Sequence, residues 1–425
     1  MDDTPRIAIL GAGPIGLEAA LYARYLGFPV EVLERGESAA ANVLSWGHVQ
    51  LFTPFCMNST SLGVAAIQAQ DSLWESPAAE ELLTGAAHQQ RYLQPLATTD
   101  LLADAIQTNT EVLSVGRAGW LKHEGVGDPQ RAEAPFHLLC RDADGQEQIH
   151  EAKVVIDCTG TYGNHKWLGQ GGLPARGEMS AAKQIEYGIP AVLGHDPARY
   201  QGKHTLVVGA GYYAATVITQ LTQLADEPSS PVTRVTWATR CNVDRTPIGR
   251  IANDRLPSRD RLAEEANRLA VEPSDFLSYL HETSVVAIEY RAASDDFEVE
   301  LDGPHAGTQT FDRIVANVGY RPDNQIYAEL QFHECYASGG PMKLAAQLLS
   351  QQKSASVSDC LDQTPCGPQS LLNPEPNFFV LGSKSYGRGS QFLLSIGFQQ
   401  IRDLFSIIGE REDLDLYTTM PKVEA

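Results

Sequence analysis

The stretch Arg6–Leu26, RIAILGAGPIGLEAALYARYL, joins a short apolar run to a glycine-rich turn and then to a helical pattern. Gly11, Gly13 and Gly16 form a GxGxxG motif between the predicted strand and the predicted helix. In this motif the first glycine permits a tight turn, the second lets the backbone approach a pyrophosphate, and the third allows close helix–strand packing. The stretch therefore predicts a strand–helix unit that binds a dinucleotide at the helix N-terminus.

The next predicted strand, PVEVLER, places an acidic residue, Glu34, near its end. A carboxylate at this place can accept hydrogen bonds from ribose hydroxyls. The alternative to dinucleotide binding is that the glycine loop is a tight turn with a purely structural role. We assign Pro14 and Ile15 of the turn, and Arg35 beside Glu34, to the same cofactor-binding set.

A second glycine loop, HTLVVGAGYYAATVITQL, begins near the middle of the chain. Gly209, Gly211 and Ala214 form GxGxxA, and alanine is tolerated at the third position because only packing is at stake there. Tyr212 lies nearer to the predicted phosphate site, so it is the better candidate for contacting a nucleotide. Tyr213 is predicted to pack between helix and sheet.

The strand that follows this second loop, TRVTWATR, ends in Thr239 and Arg240 where the ribose-binding acid would stand. A cation at this place suits a 2′-phosphate and favours NADPH over NADH. Arg245 and Arg250 could serve as well, and the alternative is an exposed arginine at a strand end. The useful pairing of two dinucleotides is FAD with NADPH, since a flavin accepts a hydride and passes electrons on singly or to oxygen.

The bulk composition limits the possible partners. A chain of 425 residues exceeds one ordinary core, and its net charge of −21 argues against nucleic acid and anionic membranes. No apolar run is long enough for a membrane span, and the acidic start MDDTPR argues against an export signal. The 7 cysteines, an odd count, favour reduced thiols in a cytoplasm, and their spacing predicts no metal site.

The wider pattern predicts an α/β fold with two Rossmann-like dinucleotide-binding domains. Hairpins are predicted around DADG and DGPHAG, a helix leading into a strand over TTDLLADAIQTNTEVLSV, and a strand, turn and helix in the last part of the chain. Residues 160–203 are linker-like, and residues 339–376 are predicted to form a long functional or mobile loop. We divide the chain into a first part of an FAD domain (1–165), a NAD(P)H domain (200–325) and the second part of the FAD domain (326–425).

Five stretches in this order resemble the two-dinucleotide-binding-domain flavoproteins: GAGPIG with Glu34, IDCTGTYG, GAGYYA, IVANVGYRPD and NFFVLGSKSYGR. Within that group the chain is similar to flavin-containing, class B-like monooxygenases and their N-hydroxylating relatives. The resemblance implies that Thr159 and Gly160 connect the two domains and that Gly319 forms the return turn. It also places Gly382 and Ser383 at the flavin, followed by a helix from about Ser390 whose N-terminus points to the flavin ring.

The resemblance places WGHVQLFTPFCMNSTS along the flavin. There it implies that Asn58 hydrogen-bonds a flavin peroxide, the alternative being an asparagine that caps a loop. His48 and Trp46 could touch the flavin ring, although a structural histidine is an equal alternative. We also place Val112 in the cofactor-binding set.

Three features of related enzymes are missing. Ser383 stands where disulfide reductases carry an aspartate, and no closely spaced redox dithiol is present, since Cys360 and Cys366 are separated by five residues. The class B monooxygenase motif FxGxxxHxxx(Y/F) is also absent, with His165 out of register. The missing aspartate and dithiol weaken a disulfide-reductase interpretation, and the missing monooxygenase motif leaves the type of oxygenation open.

Together these features predict an FAD-dependent, NADPH-using oxidoreductase of the cytoplasm. The expected activity is that of a monooxygenase, which uses O2 and a flavin C4a-(hydro)peroxide to oxygenate an N or S nucleophile of a small molecule. The alternative is an NAD(P)H-dependent flavin reductase that passes electrons to a disulfide or a protein. The sequence leaves a homodimer open.

Overall fold

The computed structural model describes residues 4–226, 232–352 and 359–419. The chain divides into two compact units. Unit 1 comprises residues 1–164 and 320–425, and unit 2 comprises residues 165–319. Unit 2 is therefore inserted between two segments of unit 1. Among the described residues, no helix has both the length and the apolar composition that crossing a membrane requires.

Unit 1 contains a five-stranded sheet and a three-stranded sheet, with helices numbered here through the whole chain. Its elements are β1 (Ile7–Leu10), α1 (Pro14–Tyr25), β2 (Val30–Leu33), α2 (Ala41–Leu44), α3 (Phe55–Asn58), α4 (Ser61–Gln70), α5 (Gly85–His88), α6 (Gln94–Ala97), β3 (Ile106–Gln107), β4 (Glu111–Arg117), α7 (Pro129–Glu133), β5 (Phe136–Arg141), β6 (Glu147–Ala152), β7 (Val154–Asp157), α12 (Met342–Gln352), β15 (Phe378–Val380) and α13 (Leu394–Ile408).

The five-stranded sheet of unit 1 is parallel, in the order β15-β7-β1-β2-β3. All residues of β1 (IAIL) and β7 (VVID) are buried, as expected for a parallel sheet covered on both faces. Helix α1 packs against α13, where the rings of Tyr22 and Phe405 stack with centroids 5.1 Å apart. The carboxyl ends of β1, β7 and β15 therefore reach the same edge of the sheet.

Unit 2 has the same plan. Its elements are α8 (Glu178–Ala181), α9 (Pro197–Tyr200), β8 (His204–Val208), α10 (Tyr212–Ala225), β9 (Arg234–Ala238), α11 (Pro257–Val271), β10 (Leu277–Leu280), β11 (Ser284–Arg291), β12 (Asp296–Asp302), β13 (Gly307–Phe311) and β14 (Arg313–Ala316).

In unit 2 the parallel sheet has the order β10-β9-β8-β14, and a second sheet, β11-β12-β13, is antiparallel. Unit 1 likewise has an antiparallel sheet, β4-β5-β6. The predicted hairpins are confirmed, because DADG joins β5 to β6 and DGPHAG joins β12 to β13. The predicted α/β fold with two Rossmann-like domains is therefore confirmed.

Three local predictions are wrong. The predicted helix over residues 98–105 is a series of turns, because the preceding helix α6 ends at Ala97. The hydroxyls of Thr98 and Thr99 donate to the carbonyls of Gln94 and Leu96. These bonds compete with continuation of the helix, and the chain enters β3 at Ile106.

The other two errors lie in the last part of the chain. Residues 339–376 are not one loop, since they contain α12 and two 3-10 turns, Cys360–Asp362 and Pro368–Leu371. Leu344 and Ala345 are buried there and anchor α12. Residues 353–358 of this predicted loop lie outside the described residues. Helix α13 begins at Leu394 rather than near Ser390, because the preceding Leu393 is still extended.

Candidate functional site

The first glycine loop has the geometry of a phosphate-binding turn. Gly11 follows β1 with φ +91°, a left-handed conformation that favours glycine. Gly13 caps α1, and a Cβ atom built on it would meet no described atom within 4 Å. A Cβ atom on Gly16 would lie 1.9 Å from the carbonyl oxygen of Gly11. The loop is therefore closed at Gly16 and open at Gly13, where backbone N–H groups at the start of α1 can reach an anion.

Glu34 binds this loop from the end of β2. Its Oε2 accepts the N–H of Ala12 at 2.7 Å, and its Oε1 accepts the N–H of Gly36 at 2.7 Å. Each carboxylate oxygen has a second lone pair, so both can still accept hydrogen bonds from a diol. Glu34 thus fixes the loop and keeps the acceptors that a ribose requires. Its neighbour Arg35 is 71% exposed.

Two further turns approach the first turn of α1. Gly160 has φ +69°, and a Cβ atom on it would lie 3.4 Å from Ser383 Oγ. Gly382 has φ +70°, and a Cβ atom on it would lie 3.3 Å from Cγ1 of Ile15. The first turn of α13 also reaches this place, since a Cβ atom on Gly397 would lie 2.3 Å from Cδ1 of Ile15. Four predicted site residues from three separate motifs are therefore brought together: Ile15, Gly160, Gly382 and Ser383.

The loop that precedes α3 carries two buried nitrogens without a protein partner. Trp46 Nε1 and His48 Nε2 are shielded from solvent and form no hydrogen bond with the described residues. The Trp46 ring lies 6.2 Å from that of Tyr162, which follows the Thr159–Gly160 turn. A polar ligand at this place would supply the missing hydrogen-bond partners, so the side chains of Trp46 and His48 fit a bound cofactor.

Asn58 has the capping role that was the alternative. Its Nδ2 donates to the carbonyls of Thr53 and Pro54 at 2.8 and 3.1 Å, and its Oδ1 accepts the Thr53 hydroxyl at 2.8 Å. Its side chain is buried, and the His88 ring lies against its backbone carbonyl. Both amide hydrogens are thus donated to carbonyls that lie just before α3, and the assignment of Asn58 to a flavin peroxide stays a prediction.

Val112 lies at a bulge of β4 and is half-buried beside a core cluster that includes Leu10 and Leu33. Just before it, the N–H of Thr110 donates to the carbonyl of Glu34 at 2.8 Å. Val112 is therefore close in the chain to a residue held against Glu34. Its assignment to the cofactor stays a prediction.

The sequence did not point to a charged pair at the same edge of the sheet. Asp157 and Lys384 have fully buried side chains, with Oδ2 and Nζ 2.5 Å apart. Lys384 Nζ also donates to Thr159 Oγ1 at 3.0 Å. The available signal was an aspartate that ends the apolar strand VVID, but nothing local indicates its partner.

The second glycine loop repeats the backbone geometry of the first. Gly209 has φ +146°, and a Cβ atom on it would lie 2.4 Å from the carbonyl oxygen of Asn317. Gly211 caps α10, and a Cβ atom on it would meet no described atom within 4 Å. Ala214, at the third position, is fully buried and takes the packing role. This loop too has no room for a side chain at its first glycine, Gly209, and is open at its middle glycine, Gly211.

The tyrosines of this loop are both half-buried. The Tyr212 hydroxyl lies 3.4 Å from the Gly249 carbonyl, to which it donates. Gly319, the predicted return turn, has φ +83°, and its carbonyl accepts the N–H of Lys166. The assignments of Tyr212 and Gly319 to the nucleotide site stay predictions.

The residues after β9 differ from the acid that follows β2. Thr239 is buried and its hydroxyl pairs with that of Tyr279 at 2.8 Å. The exposed side chains of Arg240 and Arg245 form no hydrogen bond or ion pair with other described residues. Arg250, in contrast, forms two bonds to Asp260, at 2.7 and 2.8 Å. Arg240 and Arg245 are therefore better placed than Arg250 to take a phosphate.

None of the cysteines forms a disulfide in this structure. All seven are free thiols. Burial raises the pKa of the Cys158 thiol well above its usual range and also raises the pKa of Cys366. Cys366 accepts a hydrogen bond from Gln351, and Cys360 donates to Asp359. Among the described residues, no group of three or more histidine, cysteine or acidic side chains could hold a metal ion.

No protein-family model matches the sequence, and a search of curated proteins finds no match. Among solved structures, the chain is similar to bacillithiol disulfide reductase Bdr from Bacillus cereus, with TM-score 0.65 and 16% identity over 96% of this chain and 100% of that one. It is similar to thioredoxin reductase of T. acidophilum, with TM-score 0.54 and 16% identity over 96% and 99% of the two chains.

The chain is also similar to a flavin-containing monooxygenase from Stenotrophomonas maltophilia, with TM-score 0.55 and 17% identity over 96% and 99% of the two chains. At these identities the likeness is one of fold. The chain thus has the two-unit fold of these enzymes, as the five sequence motifs predicted, and the likeness extends over almost its whole length.

Proposed function

We propose that this chain is an oxidoreductase that binds FAD in unit 1 and NADPH in unit 2. One observation carries the proposal: each unit has a glycine loop that is open at its middle glycine, at the carboxyl end of a central parallel strand. The groups beside the two loops differ, with the Glu34 carboxylate at one and the Arg240 guanidinium at the other. The similarity to flavoenzymes over almost the full chain supports the same pairing of cofactors.

In unit 1 we assign the pyrophosphate to the N–H groups at the start of α1 and the ribose to Glu34. The segments at Thr159–Gly160 and Gly382–Ser383, with His48 and the indole of Trp46, form the remaining polar lining. Bound FAD would accept a hydride from the nicotinamide and pass the electrons on. The chain's own part is to orient the flavin with backbone donors and to keep water away from it with buried rings.

In unit 2 we assign the pyrophosphate to the start of α10 and the 2′-phosphate to Arg240, with Arg245 beside it. A guanidinium binds a phosphate dianion through two parallel N–H donors, which NADH would not engage. Thr239 cannot replace an acid here, because a threonine hydroxyl paired with Tyr279 carries no charge. The proposal therefore includes a preference for NADPH over NADH.

For the electron acceptor we propose O2, so that the enzyme oxygenates an N or S nucleophile of a small molecule. The support is the lack of a redox dithiol among the described cysteines, because transfer to an external disulfide usually passes through thiols that are near the flavin and reactive. Cys158, close to the first glycine loop, is half-buried, and desolvation raises the pKa of its thiol, which disfavours the nucleophilic thiolate at neutral pH.

A second candidate is a reductase that passes electrons to a disulfide or a protein. It is favoured by the likeness to bacillithiol disulfide reductase and thioredoxin reductase, whose names state that they reduce such acceptors. The two candidates predict different products from the same reduced flavin. An oxygenase consumes O2 in proportion to NADPH and a nucleophilic amine or thioether, whereas a reductase oxidises NADPH anaerobically when a disulfide is present.

The experiment is a matched pair of assays on the purified holoenzyme. NADPH oxidation, O2 uptake and H2O2 release are measured with a panel of amines and thioethers, and NADPH oxidation is measured anaerobically with low-molecular-weight disulfides. The proposal predicts O2 uptake that exceeds H2O2 release with at least one nucleophile. Anaerobic turnover with a disulfide, without coupled O2 consumption, would replace it with the second candidate.

A further inference from the structure

A buried ion pair joins two turns that carry proposed flavin contacts. Asp157 ends β7, and Lys384 lies in the 3-10 turn Gly382–Tyr386 that follows β15. Their side chains are fully buried, with Oδ2 and Nζ 2.5 Å apart. The pair thus lies at the carboxyl edge of the sheet, directly behind Thr159 and Ser383.

Thr159 closes this pair into a network. Lys384 Nζ donates to Thr159 Oγ1 at 3.0 Å. The Thr159 hydroxyl and backbone N–H both donate to Asp157 Oδ1, at 2.7 and 2.9 Å. Each of the three residues therefore contacts the other two. The Thr159–Gly160 turn therefore cannot rotate without breaking the hydrogen bonds that join Thr159 to both buried charges.

The network adds something that strand pairing does not supply. β15 already pairs with β7 in parallel, from Phe378↔Val155 to Val380↔Asp157. Burying two charges is costly, and it is compensated only when geometry and hydrogen bonding are good. Asp157 Oδ2 has no hydrogen bond of good geometry with the described residues, so the ammonium is its compensation. The ion pair therefore stabilises the turns beyond the strand ends, which the strand pairing does not hold.

The turn that contains Lys384 is also held from the opposite side. The N–H of Gly382 donates to Gln400 Oε1 at 3.0 Å, and Gln400 Nε2 donates to Ser385 Oγ at 3.0 Å. Ser385 Oγ in turn donates to the carbonyl of Gly382 at 2.7 Å. Side chains from β7 and α13 thus fix this short turn from two directions, as expected for a preorganised binding site.

We propose that Lys384 is a positioning residue for the flavin, acting through Asp157 and Thr159 to hold the Thr159–Gly160 turn against Gly382–Ser383. The inference rests on the proposed function, because it takes unit 1 as the FAD-binding unit. Lys384 itself need not touch the cofactor. Its loss would let the two turns separate and would change the polar lining that they present to the flavin, which alters both its affinity and its midpoint potential.

The test compares Lys384→Met with Arg259→Met. Arg259 and Asp254 form a buried ion pair at 2.6 Å in unit 2, and its loss also leaves a buried carboxylate without its cation. FAD affinity of the apoprotein, the flavin midpoint potential and the unfolding temperature are measured for each. For Lys384→Met we expect an FAD dissociation constant about 10- to 100-fold higher, as for outer-shell partners of metal sites, and a shifted potential. Arg259→Met should unfold at a lower temperature and keep the wild-type FAD affinity and flavin midpoint potential.

A double variant, Asp157→Asn with Lys384→Met, removes the carboxylate that Lys384→Met leaves unpaired. It therefore tests whether a loss of FAD affinity comes only from destabilisation of the fold. We expect it to regain much of the lost stability but not the FAD affinity. Wild-type affinity and potential in both Lys384 variants would overturn the inference and leave the proposed function intact. Failure of the wild-type protein to bind FAD would instead refute the proposed function, on which this inference depends.

Discussion

The two glycine loops have the same backbone and different surroundings. In both, the first glycine has positive φ, and the middle glycine caps a helix and leaves its outer side open. The first loop is bound by a carboxylate, whereas the strand β9 that follows the second loop is succeeded by exposed Arg240 and Arg245, which have no ion pair with the described residues. In the proposed function, the backbone features that the two loops share bind a pyrophosphate at each loop, and the different side chains around them select the dinucleotide.

The third loop position gives the largest expected difference. Gly16→Ala would place a methyl group 1.9 Å from a carbonyl oxygen, whereas Ala214→Gly removes a buried methyl group from a helix. We expect Gly16→Ala to lose FAD and about 3 kcal/mol or more of stability, and Ala214→Gly to lose about 1 kcal/mol. Denaturant unfolding and flavin content check both. Equal losses would show that the loops are not packed differently.

The two helices also differ two residues further on, where α1 has Glu18 and α10 has Thr216. Burial raises the pKa of Glu18 to about 7, although Thr60 and Tyr417 hydrogen bonds oppose the shift. Because the folded pKa lies above the unfolded value, Glu18 contributes stability below about pH 4.5 that is lost as pH rises through about 7.

Glu18→Gln should therefore gain stability relative to wild type as the pH rises from 4 to 8, by roughly 3 kcal/mol in total. The measurement is denaturant unfolding of both proteins at each pH. Thr216→Val is the matched control in the other helix, and its difference from wild type should not vary with pH. A constant difference for Glu18→Gln would contradict the burial argument.

The acid at the first loop gives the next largest effect. Glu34→Ala removes two acceptors of backbone N–H groups and the proposed ribose acceptors. We expect FAD to bind roughly 10- to 100-fold more weakly, with NADPH affinity unchanged. Fluorescence titration of the apoprotein measures the first and equilibrium dialysis the second. A larger effect on NADPH would reverse the assignment of the two loops.

The arginine at the second loop gives the smallest expected effect, because it is exposed. Arg240→Ala should raise the KM for NADPH about 10-fold, the equivalent of about 1.4 kcal/mol, and leave the KM for NADH unchanged. Arg250→Ala is the control, since Arg250 is already paired with Asp260. If only the control variant raised the KM for NADPH, the phosphate would belong at Arg250.

The sequence predicted what local patterns determine. The strands, both hairpins and both glycine loops follow from short apolar runs, turn residues and helical periodicity within a few positions of each other. The error over residues 98–105 is also local, because two threonine hydroxyls bond backward and end a helix that the pattern of apolar residues would extend. Composition alone does not show which hydrogen bond a hydroxyl will make.

The parts that could not be predicted depend on contacts between distant segments. Thr159 and Lys384 are 225 positions apart, and only the pairing of β7 with β15 brings them together. Asn58 ends α3 in the stretch that the resemblance placed along the flavin, and its amide hydrogens are donated to the carbonyls of Thr53 and Pro54. Motifs therefore located the candidate site, whereas the groups that hold it in place required the structure.

The central claim is that one loop binds FAD, the other binds NADPH, and the second cofactor reduces the first. The most direct measurement is anaerobic stopped-flow spectroscopy of the FAD-loaded protein mixed with NADPH or, separately, with NADH. The account predicts rapid bleaching of the visible flavin band with NADPH and slower bleaching with NADH at equal concentration. A protein that binds no FAD, or a bound flavin that stays oxidised in excess NADPH, would contradict it.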